Sequence, residues 1–333
     1  MRTTIQQLPG SKIREVANAG MGRTDVLAFW FGESDEVTPQ VVRDAAAASL
    51  ARGETFYAHN LGLPGLRDAL AAYVSRWHRP VDVSRIAVTS SGVSGLMLAM
   101  QMLLDAGDEV VAVTPVWPNL TAQPAILGAR VIRVPLEAEQ GAWRLDMTRL
   151  LAAVTPATRL LVVNAPNNPT GWTLTRAEQQ VILDHCRRTG TWILADEVYE
   201  RLWYGSEGVA APSFLGIAES QDRLIVAHSF SKSFLMTGWR LGWLVLPPAH
   251  EAALAKLVEF NTSCAPVFVQ QGGMAALQHE AELVDQIRAR EQRLEHGAVR
   301  VADLVGLGLL GELRAGREDG DPRPPAHDHL VRP

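Results

Sequence analysis

Short apolar runs alternate with segments of helical periodicity between about residue 85 and residue 246 of this chain. The apolar runs are continuous in Val, Ile and Leu, which is typical of strands that are buried on both faces of a sheet. Segments such as 93–105 and 175–188 fit the helical crossovers that connect parallel strands. We therefore predict an α/β fold with a largely parallel sheet. The predicted strands are residues 86–88, 108–113, 130–134, 159–163, 191–195, 223–227 and 242–246.

Two further helical patterns flank this region. Residues 65–78 place apolar side chains on one helical face, which we assign to the core. A longer helical pattern extends from about residue 249 to residue 305 and enters a second, smaller domain. After about residue 310 the chain is rich in Gly, Pro, Arg and Asp without apolar periodicity, which is typical of irregular or disordered segments.

Composition and charge narrow the class of protein. The net charge is −5, from 31 basic and 36 acidic residues, and no basic cluster precedes the tail, so neither nucleic acid nor a membrane surface is an expected partner. Residues 1–7 lack the apolar segment of a signal peptide. Cys186 and Cys264 are isolated, which gives neither a disulfide framework nor a metal site. We expect a cytoplasmic protein.

The most informative residue is Lys232. It follows Ser229 and Ser231 in the run S-F-S-K, and Arg240 comes eight positions later. A lysine amine can form a Schiff base with an aldehyde, while hydroxyls and a guanidinium can bind a phosphate. Pyridoxal 5′-phosphate (PLP) carries both groups. By itself such a string is more common around a solvated surface lysine, so the upstream residues decide between the two interpretations.

Two upstream clusters suit a phosphorylated aromatic ligand. Ser91, Gly92 and Val93 open a helix directly after a predicted strand, where free N–H groups suit a phosphate. The alternative is a plain turn with a serine cap. Trp117, between two prolines after the strand 108–113, suits stacking on a flat ring, although a tryptophan that packs in the core is the alternative.

Two more clusters follow the next predicted strands. Asn168 lies in the string N-N-P-T-G, where its amide suits a phenolate oxygen and a structured loop is the alternative. Asp196 ends the strand 191–195, and a buried acid there needs a partner such as a protonated pyridine nitrogen. Tyr199 reaches the same side within a helical turn. The alternative is a solvated acidic pair that caps a helix.

Taken in order, the strings S-G-x-S, P-x-W, N-N-P-T-G, D-E-x-Y, S-x-S-K and R-x-G resemble those of the class I/II aminotransferases, a family of fold-type I PLP enzymes. The resemblance covers about residues 10–275. It implies a mixed, mostly parallel seven-stranded sheet between helices, with a smaller α+β domain. The implied domains are an N-terminal arm with part of the small domain (1–35), a large PLP-binding domain (36–265), a linker helix with a partial small domain (266–310) and an irregular tail (311–333).

The resemblance implies a role for each residue near the cofactor ring. Lys232 resembles the Schiff-base lysine, which also moves a proton between the substrate Cα and the cofactor C4′. Asp196 resembles the partner of the pyridine nitrogen. Tyr199 and Asn168 resemble the donors to the phenolic oxygen, and Trp117 resembles the ring that stacks on the cofactor.

The resemblance also implies a phosphate site and a second subunit. The residues that match the phosphate site are Ser91, Gly92, Val93, Ser229, Ser231 and Arg240. Tyr57 resembles the tyrosine that reaches the phosphate of a neighbouring subunit, which implies a homodimer. Gly32 and Asn168 match positions that bind the substrate. The bonds Thr114–Pro115 and Asn168–Pro169 are expected to be cis.

The C-terminal region departs from the family pattern. The family carries there an arginine that binds the substrate α-carboxylate, and no segment of this chain matches it, so that arginine is not assigned. We expect an incomplete small domain, and PLP binding that is more robust than turnover.

The sequence thus predicts a PLP-dependent aminotransferase that moves an amino group between an amino acid and a 2-oxo acid. Two alternatives stay open. One is a PLP-dependent lyase or another fold-type I enzyme, because the cofactor site does not separate these reactions. The other is a non-catalytic PLP-binding protein without a complete small domain.

Overall fold

The computed structural model describes residues 1–205 and 209–290, which divide into two compact units. The first unit consists of residues 1–9 and 33–284, and the second begins with residues 10–32 and takes up the chain again at residue 285. The domain boundaries expected at residues 35, 265 and 310 stay predictions. The irregular tail expected for residues 311–333 lies outside the described residues.

An eight-stranded sheet lies at the centre of the first unit. Its strands are β1 Ile86–Thr89, β2 Glu109–Thr114, β3 Arg130–Glu139, β4 Ala142–Leu145, β5 Thr158–Asn164, β6 Trp192–Asp196, β7 Leu224–Ser229 and β8 Gly242–Val245. Their order across the sheet is β1-β8-β7-β6-β5-β2-β3-β4. Neighbours from β7 to β3 pair in parallel, whereas β8 pairs antiparallel with β7 and with β1. The predicted α/β class with a mixed, mostly parallel sheet is confirmed.

The predicted count of seven strands is wrong, because β4 adds an eighth. The chain turns back after β3 through Gln140 and Gly141, both with positive φ, and β4 pairs antiparallel with the end of β3. Within β4 only Leu145 is buried. A strand that is mostly exposed carries no continuous apolar run, so the pattern that predicts the other seven does not reveal it.

Helices of the first unit cover both faces of its sheet. The helices with assigned bounds are α1 Thr3–Gln6, α2 Lys12–Gly20, α3 Gln40–Ala51, α4 Pro64–Trp77, α5 Gly92–Leu103, α6 Asn119–Leu127, α7 Met147–Ala153, α8 Arg176–Thr189, α9 Glu251–Glu259 and α10 Val267–Gln278, of which α2 belongs to the second unit. Residues 280–290 are also helical. Over the described ranges, the search for a helix with the length and hydropathy of a membrane span gives none.

Two hydrophobic clusters fill the space between the sheet and its helices. Val111 and Leu161 face one cluster, together with α4, α8 and α10, while Val110 and Leu160 face the other, together with α5 and α9. Neighbouring residues of a strand point to opposite faces, so each central strand contributes to both clusters. This explains the unbroken Val/Ile/Leu runs, and it leaves only the strand ends for polar side chains.

The helical pattern expected from 249 to 305 is interrupted in the structure. Helix α9 ends at Glu259, and α10 starts only at Val267. Between them Ser263 has a φ of 58°, and Pro266 occupies the N-cap of α10. A residue in the left-handed conformation and a proline both end helices. The helix therefore stops here although the apolar period of the sequence continues.

The second unit is built around α2. Ser11 caps the helix by accepting a hydrogen bond from the backbone N–H of Arg14 at 3.3 Å. The ring of Trp30 packs against Gly20 so closely that no side chain would fit there. The Arg14 guanidinium lies 4.8 Å from the centroid of the Phe31 ring.

Two leucine substitutions test the assignment of the core. Leu70 on α4 is fully buried, while Leu50 on α3 is 48% exposed. Leu70→Ala should lower the free energy of unfolding by about 2–5 kcal/mol, because it removes buried methyl groups and leaves a cavity. Leu50→Ala should change it by less than about 0.5 kcal/mol. Denaturant titration of both variants checks the difference, and equal effects would contradict the described packing.

Candidate active site

The polar residues singled out in the sequence meet at one edge of the sheet. Asp196 ends β6, Ser229 ends β7 and Asn168 follows β5. These three strands are parallel neighbours, so their carboxyl ends open at the same edge. Gly92, the first residue of α5, lies against Ser229, since a Cβ added at Gly92 would be 3.2 Å from the Ser229 Cβ.

Asp196 is a buried carboxyl with few partners of its own. It is 2% exposed, and one oxygen accepts a hydrogen bond from the backbone N–H of Val198 at 3.4 Å. Burial raises its pKa to about 7, against that hydrogen bond and the charge of Lys232, which lower it. The Asn164 side chain donates to the backbone oxygen of Asp196 at 2.9 Å and fixes the end of β6. A carboxyl in this setting is stabilised as the anion by a cationic donor.

Lys232 lies in the same group of side chains. Burial lowers the pKa of its amine, as does Arg240, while the charges of Glu33 and Asp196 raise it. Its Nζ is 5.4 Å from the centroid of the Tyr199 ring. The site therefore combines an amine and a carboxyl that are both pushed towards their neutral forms by burial.

Tyr199 and Asn168 form a pair beside the lysine. The Asn168 amide donates to the Tyr199 hydroxyl at 3.5 Å, and the Asn168 backbone N–H donates to Asn164 at 2.7 Å. Burial and the charge of Asp196 raise the pKa of Tyr199 to about 12, so its hydroxyl keeps its proton at neutral pH and remains a hydrogen-bond donor.

The start of α5 and the end of β7 together form a cradle of donors. Ser91 has a φ of 137°, and its Oγ accepts a hydrogen bond from the backbone N–H of Ser94 at 3.0 Å. The N–H groups of Gly92 and Val93 therefore precede the first hydrogen-bonded turn, which is where helices bind anions. Across from them, the Ser229 hydroxyl donates to the Ser231 hydroxyl at 2.8 Å.

Arg240 adds a cation whose charge acts on Lys232. It is exposed, and its φ of 55° places it in the left-handed region after a short 3-10 turn. One guanidinium nitrogen donates to the backbone oxygen of Thr237 at 2.7 Å. Its remaining donors suit two oxygens of a phosphate.

Three predicted residues lie elsewhere or make fewer contacts. Trp117 is half-buried between β2 and α6 and packs against the apolar cluster on that face. Tyr57 is 89% exposed and is not among the side chains that this chain brings together. Gly32 belongs to the second unit.

The bonds Thr114–Pro115 and Asn168–Pro169 are cis as expected, and so is Ala165–Pro166.

Sequence reasoning missed two residues near the site. Asn164 forms hydrogen bonds with both Asp196 and Asn168. Its position as a polar residue at the end of a buried strand is the feature of the sequence that could have identified it. Glu33 accepts a hydrogen bond from the Thr237 hydroxyl at 3.0 Å, and its charge raises the pKa of Lys232. No pattern in the sequence connects Glu33 with Thr237, because they are 204 positions apart.

The donor set of the site fits PLP. The buried Asp196 carboxyl matches a pyridinium nitrogen, the amine of Lys232 matches the aldehyde, and the hydroxyls and N–H groups of the cradle match the phosphate. A Cβ at Gly92 would lie 3.2 Å from the Ser229 Cβ, closer than ordinary van der Waals contact, so a larger residue there would force Ser229 to shift.

Comparison with known proteins identifies the family. Residues 25–310 match the family model of aminotransferases of class I and II. An aspartate aminotransferase of Pyrococcus horikoshii is 34% identical over 271 residues, which cover 81% of this chain and 68% of that protein. An arginine–pyruvate transaminase of Pseudomonas aeruginosa is 33% identical over 296 residues, covering 88% of this chain and 74% of that protein.

Solved structures agree with the sequence comparison. A single mutant of the Thermus thermophilus aspartate aminotransferase has a TM-score of 0.83 and 28% identity, over 92% of this chain and 81% of that one. The predicted resemblance and PLP dependence are thus confirmed, and the lyase alternative is not favoured. The chain belongs to the class I and II aminotransferase family and is a PLP-dependent transaminase.

Proposed function

We propose that Lys232 is the lysine that binds PLP and that the strand-end residues around it hold the cofactor. The observation that carries this assignment is the grouping of an amine, a buried carboxyl and a phenol at one edge of the sheet. The sequence contains only two other lysines, Lys12 and Lys256, and both are exposed.

When bound, PLP supplies an electron sink that stabilises negative charge at the amino acid Cα. Asp196 would hold its carboxylate opposite the ring nitrogen, where a cation returns the pKa of the buried carboxyl towards its usual range. Tyr199 and Asn168 would donate to the phenolic oxygen, and Trp117 would stack on the ring.

Lys232 would also move a proton. Burial lowers the pKa of its amine, so a larger fraction is neutral at neutral pH and can accept the proton from Cα. The same nitrogen would then donate a proton at C4′ of the cofactor. Hydrogen bonds from the Val198 N–H to Asp196 and from the Asn168 amide to Tyr199 would help to hold both side chains during this transfer.

The phosphate would lie in the cradle at the start of α5. The N–H groups of Gly92 and Val93 would donate to it, with Ser91 shaping the turn, and the hydroxyls of Ser229 and Ser231 would bind it as well. The Arg240 guanidinium would complete the charge balance.

The substrates would be an amino acid and a 2-oxo acid, with Gly32 and Asn168 on the substrate side of the cofactor. The relatives are named for aspartate, prephenate, aromatic amino acids or arginine. Because these side chains differ in charge and size, the proposal stops at the class of amino acid transamination.

A homodimer would complete the site. Tyr57, Phe56 and Phe260 are each more than 80% exposed, and the loops that carry them are joined by a hydrogen bond from Ala58 N–H to Cys264 Sγ at 3.4 Å. Large aromatic side chains in one exposed region are typical of an interface. Tyr57 would reach the phosphate in the neighbouring subunit.

A cytoplasmic location is part of the same proposal. The two cysteines, Cys186 and Cys264, are both free, which is typical of a reducing compartment.

Replacing the lysine tests the central residue. Lys232→Ala should abolish the visible absorption band that PLP gains on bonding to a lysine amine, because the two other lysines, Lys12 and Lys256, are exposed and do not belong to the strand-end group. Absorption spectra of the PLP-loaded proteins check this, with Lys256→Ala as the matched control that keeps the band. An unchanged spectrum in Lys232→Ala would refute the assignment.

Replacing the buried acid tests the electron sink. Asp196→Asn should lower the rate of half-transamination by about 10²-fold or more, since an amide cannot keep the ring nitrogen cationic. Stopped-flow spectra with a single amino acid measure this rate. Asp68→Asn, at an exposed position on α4, is the control. A rate within about twofold of wild type for Asp196→Asn would contradict the role of Asp196.

Mixing two defective variants tests the homodimer. Tyr57→Ala should weaken PLP binding, and Lys232→Ala should prevent its reaction. A hybrid dimer would contain one site with both Lys232 and the partner's Tyr57 intact. An equal mixture should therefore recover about one wild-type site in four after subunit exchange. Transaminase activity and sedimentation velocity report the recovery, and a monomer or a lack of recovery would contradict the proposal.

A further inference from the structure

Four buried titratable side chains lie beside the site and take no part in the mechanism above. They are His78 after α4, Glu197 and Glu200 after β6, and His228 on β7. Carboxylate and ring-nitrogen atoms of Glu197, Glu200 and His228 all lie within 4.8 Å of one another. We call these four residues the acid–histidine cluster.

Glu200 is the centre of the cluster. One of its oxygens is 3.0 Å from His78 Nε2, and the other is 3.8 Å from His228 Nδ1. Its backbone N–H donates to the carbonyl of Glu197 at 3.0 Å. Glu197 in turn accepts hydrogen bonds from the Ser213 hydroxyl and from the backbone N–H of Phe214.

The four groups differ in charge because they are buried together. Burial raises the pKa of Glu197 to about 8, and the charge of Glu200 adds to this effect. Although burial raises it, the pKa of Glu200 lies below its usual value because His228 and His78 stabilise the anion. Burial lowers the pKa of His228, whereas the hydrogen bond and charge of Glu200 outweigh burial at His78 and raise its pKa. The raised pKa of His78 and the lowered pKa of Glu200 favour an ion pair between them, beside a Glu197 whose raised pKa favours its protonated form.

Further charged and titratable groups face the cluster from neighbouring elements. Arg201 and Glu280 form a buried ion pair, and Tyr73 on α4 lies beside Arg201. The charge of Arg176 acts on His78, and that of Arg201 acts on Glu200. Tyr73, Arg201 and Glu280 act on one another. Arg76 pairs with Glu280 from the exposed side at 3.3 Å. Because Arg201 and Glu280 neutralise each other, the net charge of this region changes with the protons on Glu197, His78 and His228.

The cluster is connected to the cofactor site through the chain itself. Glu197 directly follows Asp196, and its backbone N–H donates to the carbonyl of Ala227 at 3.0 Å. His228 directly precedes Ser229, and its ring stacks on Trp243 with a centroid separation of 5.0 Å and an angle of 18°. A shift of either side chain would therefore move the end of β6 or β7.

We propose that the protonation of the acid–histidine cluster controls how Asp196 and Ser229 are positioned for PLP. In the state that binds PLP tightly, Glu197 carries a proton. This inference rests on the proposed function of Asp196 and Ser229. Glu197, Glu200, His78 and His228 are positioning residues, because they would act on the cofactor through Asp196 and Ser229. Ionisation of Glu197 would place a second carboxylate charge beside Glu200 and disturb both strand ends.

The direction of the pH effect follows from Glu197. A carboxyl whose pKa is raised by folding contributes its full stability below the pKa of the unfolded chain, about 4.3, and loses it as the pH rises through the folded value. Since PLP is proposed to bind tightly only while Glu197 is protonated, wild-type affinity for PLP should fall as the pH rises through about 8. Glu197→Gln keeps one acceptor oxygen for the Phe214 N–H, and its NH2 can donate to the Ser213 hydroxyl, but it cannot ionise. This part of the decrease should therefore disappear.

The experiment is a PLP titration of the apoprotein from about pH 6 to about pH 9, followed by the visible band. Wild type, Glu197→Gln and the exposed control Glu259→Gln are compared. We expect Glu197→Gln to match wild type at the lower pH within about twofold and to bind PLP more tightly than wild type at the upper end. Glu259→Gln should follow wild type throughout. Identical profiles for wild type and Glu197→Gln would overturn the proposal.

A second variant tests the ion pair. His78→Gln leaves the buried Glu200 without its cationic partner, which should weaken PLP binding by about tenfold or more at neutral pH. The exposed His279→Gln is the control. If His78→Gln does not fold, the midpoints of thermal unfolding of wild-type and Glu197→Gln apoproteins are compared over the same pH range. Only the wild type should lose, as the pH rises, the stability that the proton on Glu197 provides.

Other outcomes separate this inference from the proposed function. A wild-type protein that gives no visible band with PLP would contradict the role of Lys232 itself. A normal band with a pH profile that Glu197→Gln leaves unchanged would contradict the cluster alone. A stoichiometric divalent metal in the purified protein that is lost in Glu197→Gln would also overturn it, because the same three side chains would then be metal ligands.

Discussion

The structure depends on one electrostatic constraint, the burial of the Asp196 carboxyl at the end of a central strand. Burial raises the pKa of this acid to about 7 and lowers the pKa of the nearby Lys232 amine. Both groups are less stable as ions here than in water. A cationic ring that pairs with the acid stabilises its anion, and an aldehyde that bonds to the amine removes the need to bury an ammonium ion. PLP is one molecule that carries both groups, which is why the site and the family agree.

The parallel sheet explains how these groups come together. Strands β5, β6 and β7 are neighbours, and each delivers its polar residues at the same edge. The faces of these strands are filled by two hydrophobic clusters, so chemistry is restricted to their ends. Fixing those ends is then a structural task, which Asn164 performs through hydrogen bonds on one side and the acid–histidine cluster performs, as we infer, on the other.

Much of this arrangement could be predicted from the sequence, because continuous apolar runs mark buried strands and the residues after them lie at one edge. Strand β4 could not, because it is exposed and pairs only with the end of β3. The interruption between α9 and α10 was missed because the apolar period continues across Pro266. The contact between His78 and Glu200 joins residues 122 positions apart, and no local pattern encodes such a pair.

The central claim is that Lys232 is the residue bonded to PLP. Reduction of the PLP-loaded protein with borohydride, followed by digestion and mass spectrometry, locates the bonded lysine directly. The chain has three lysines, so the result is unambiguous. The account predicts that the pyridoxyl mass is found on the peptide that contains Lys232 and not on Lys12 or Lys256. A stoichiometric label on Lys12 or Lys256, with Lys232 unmodified, would contradict it.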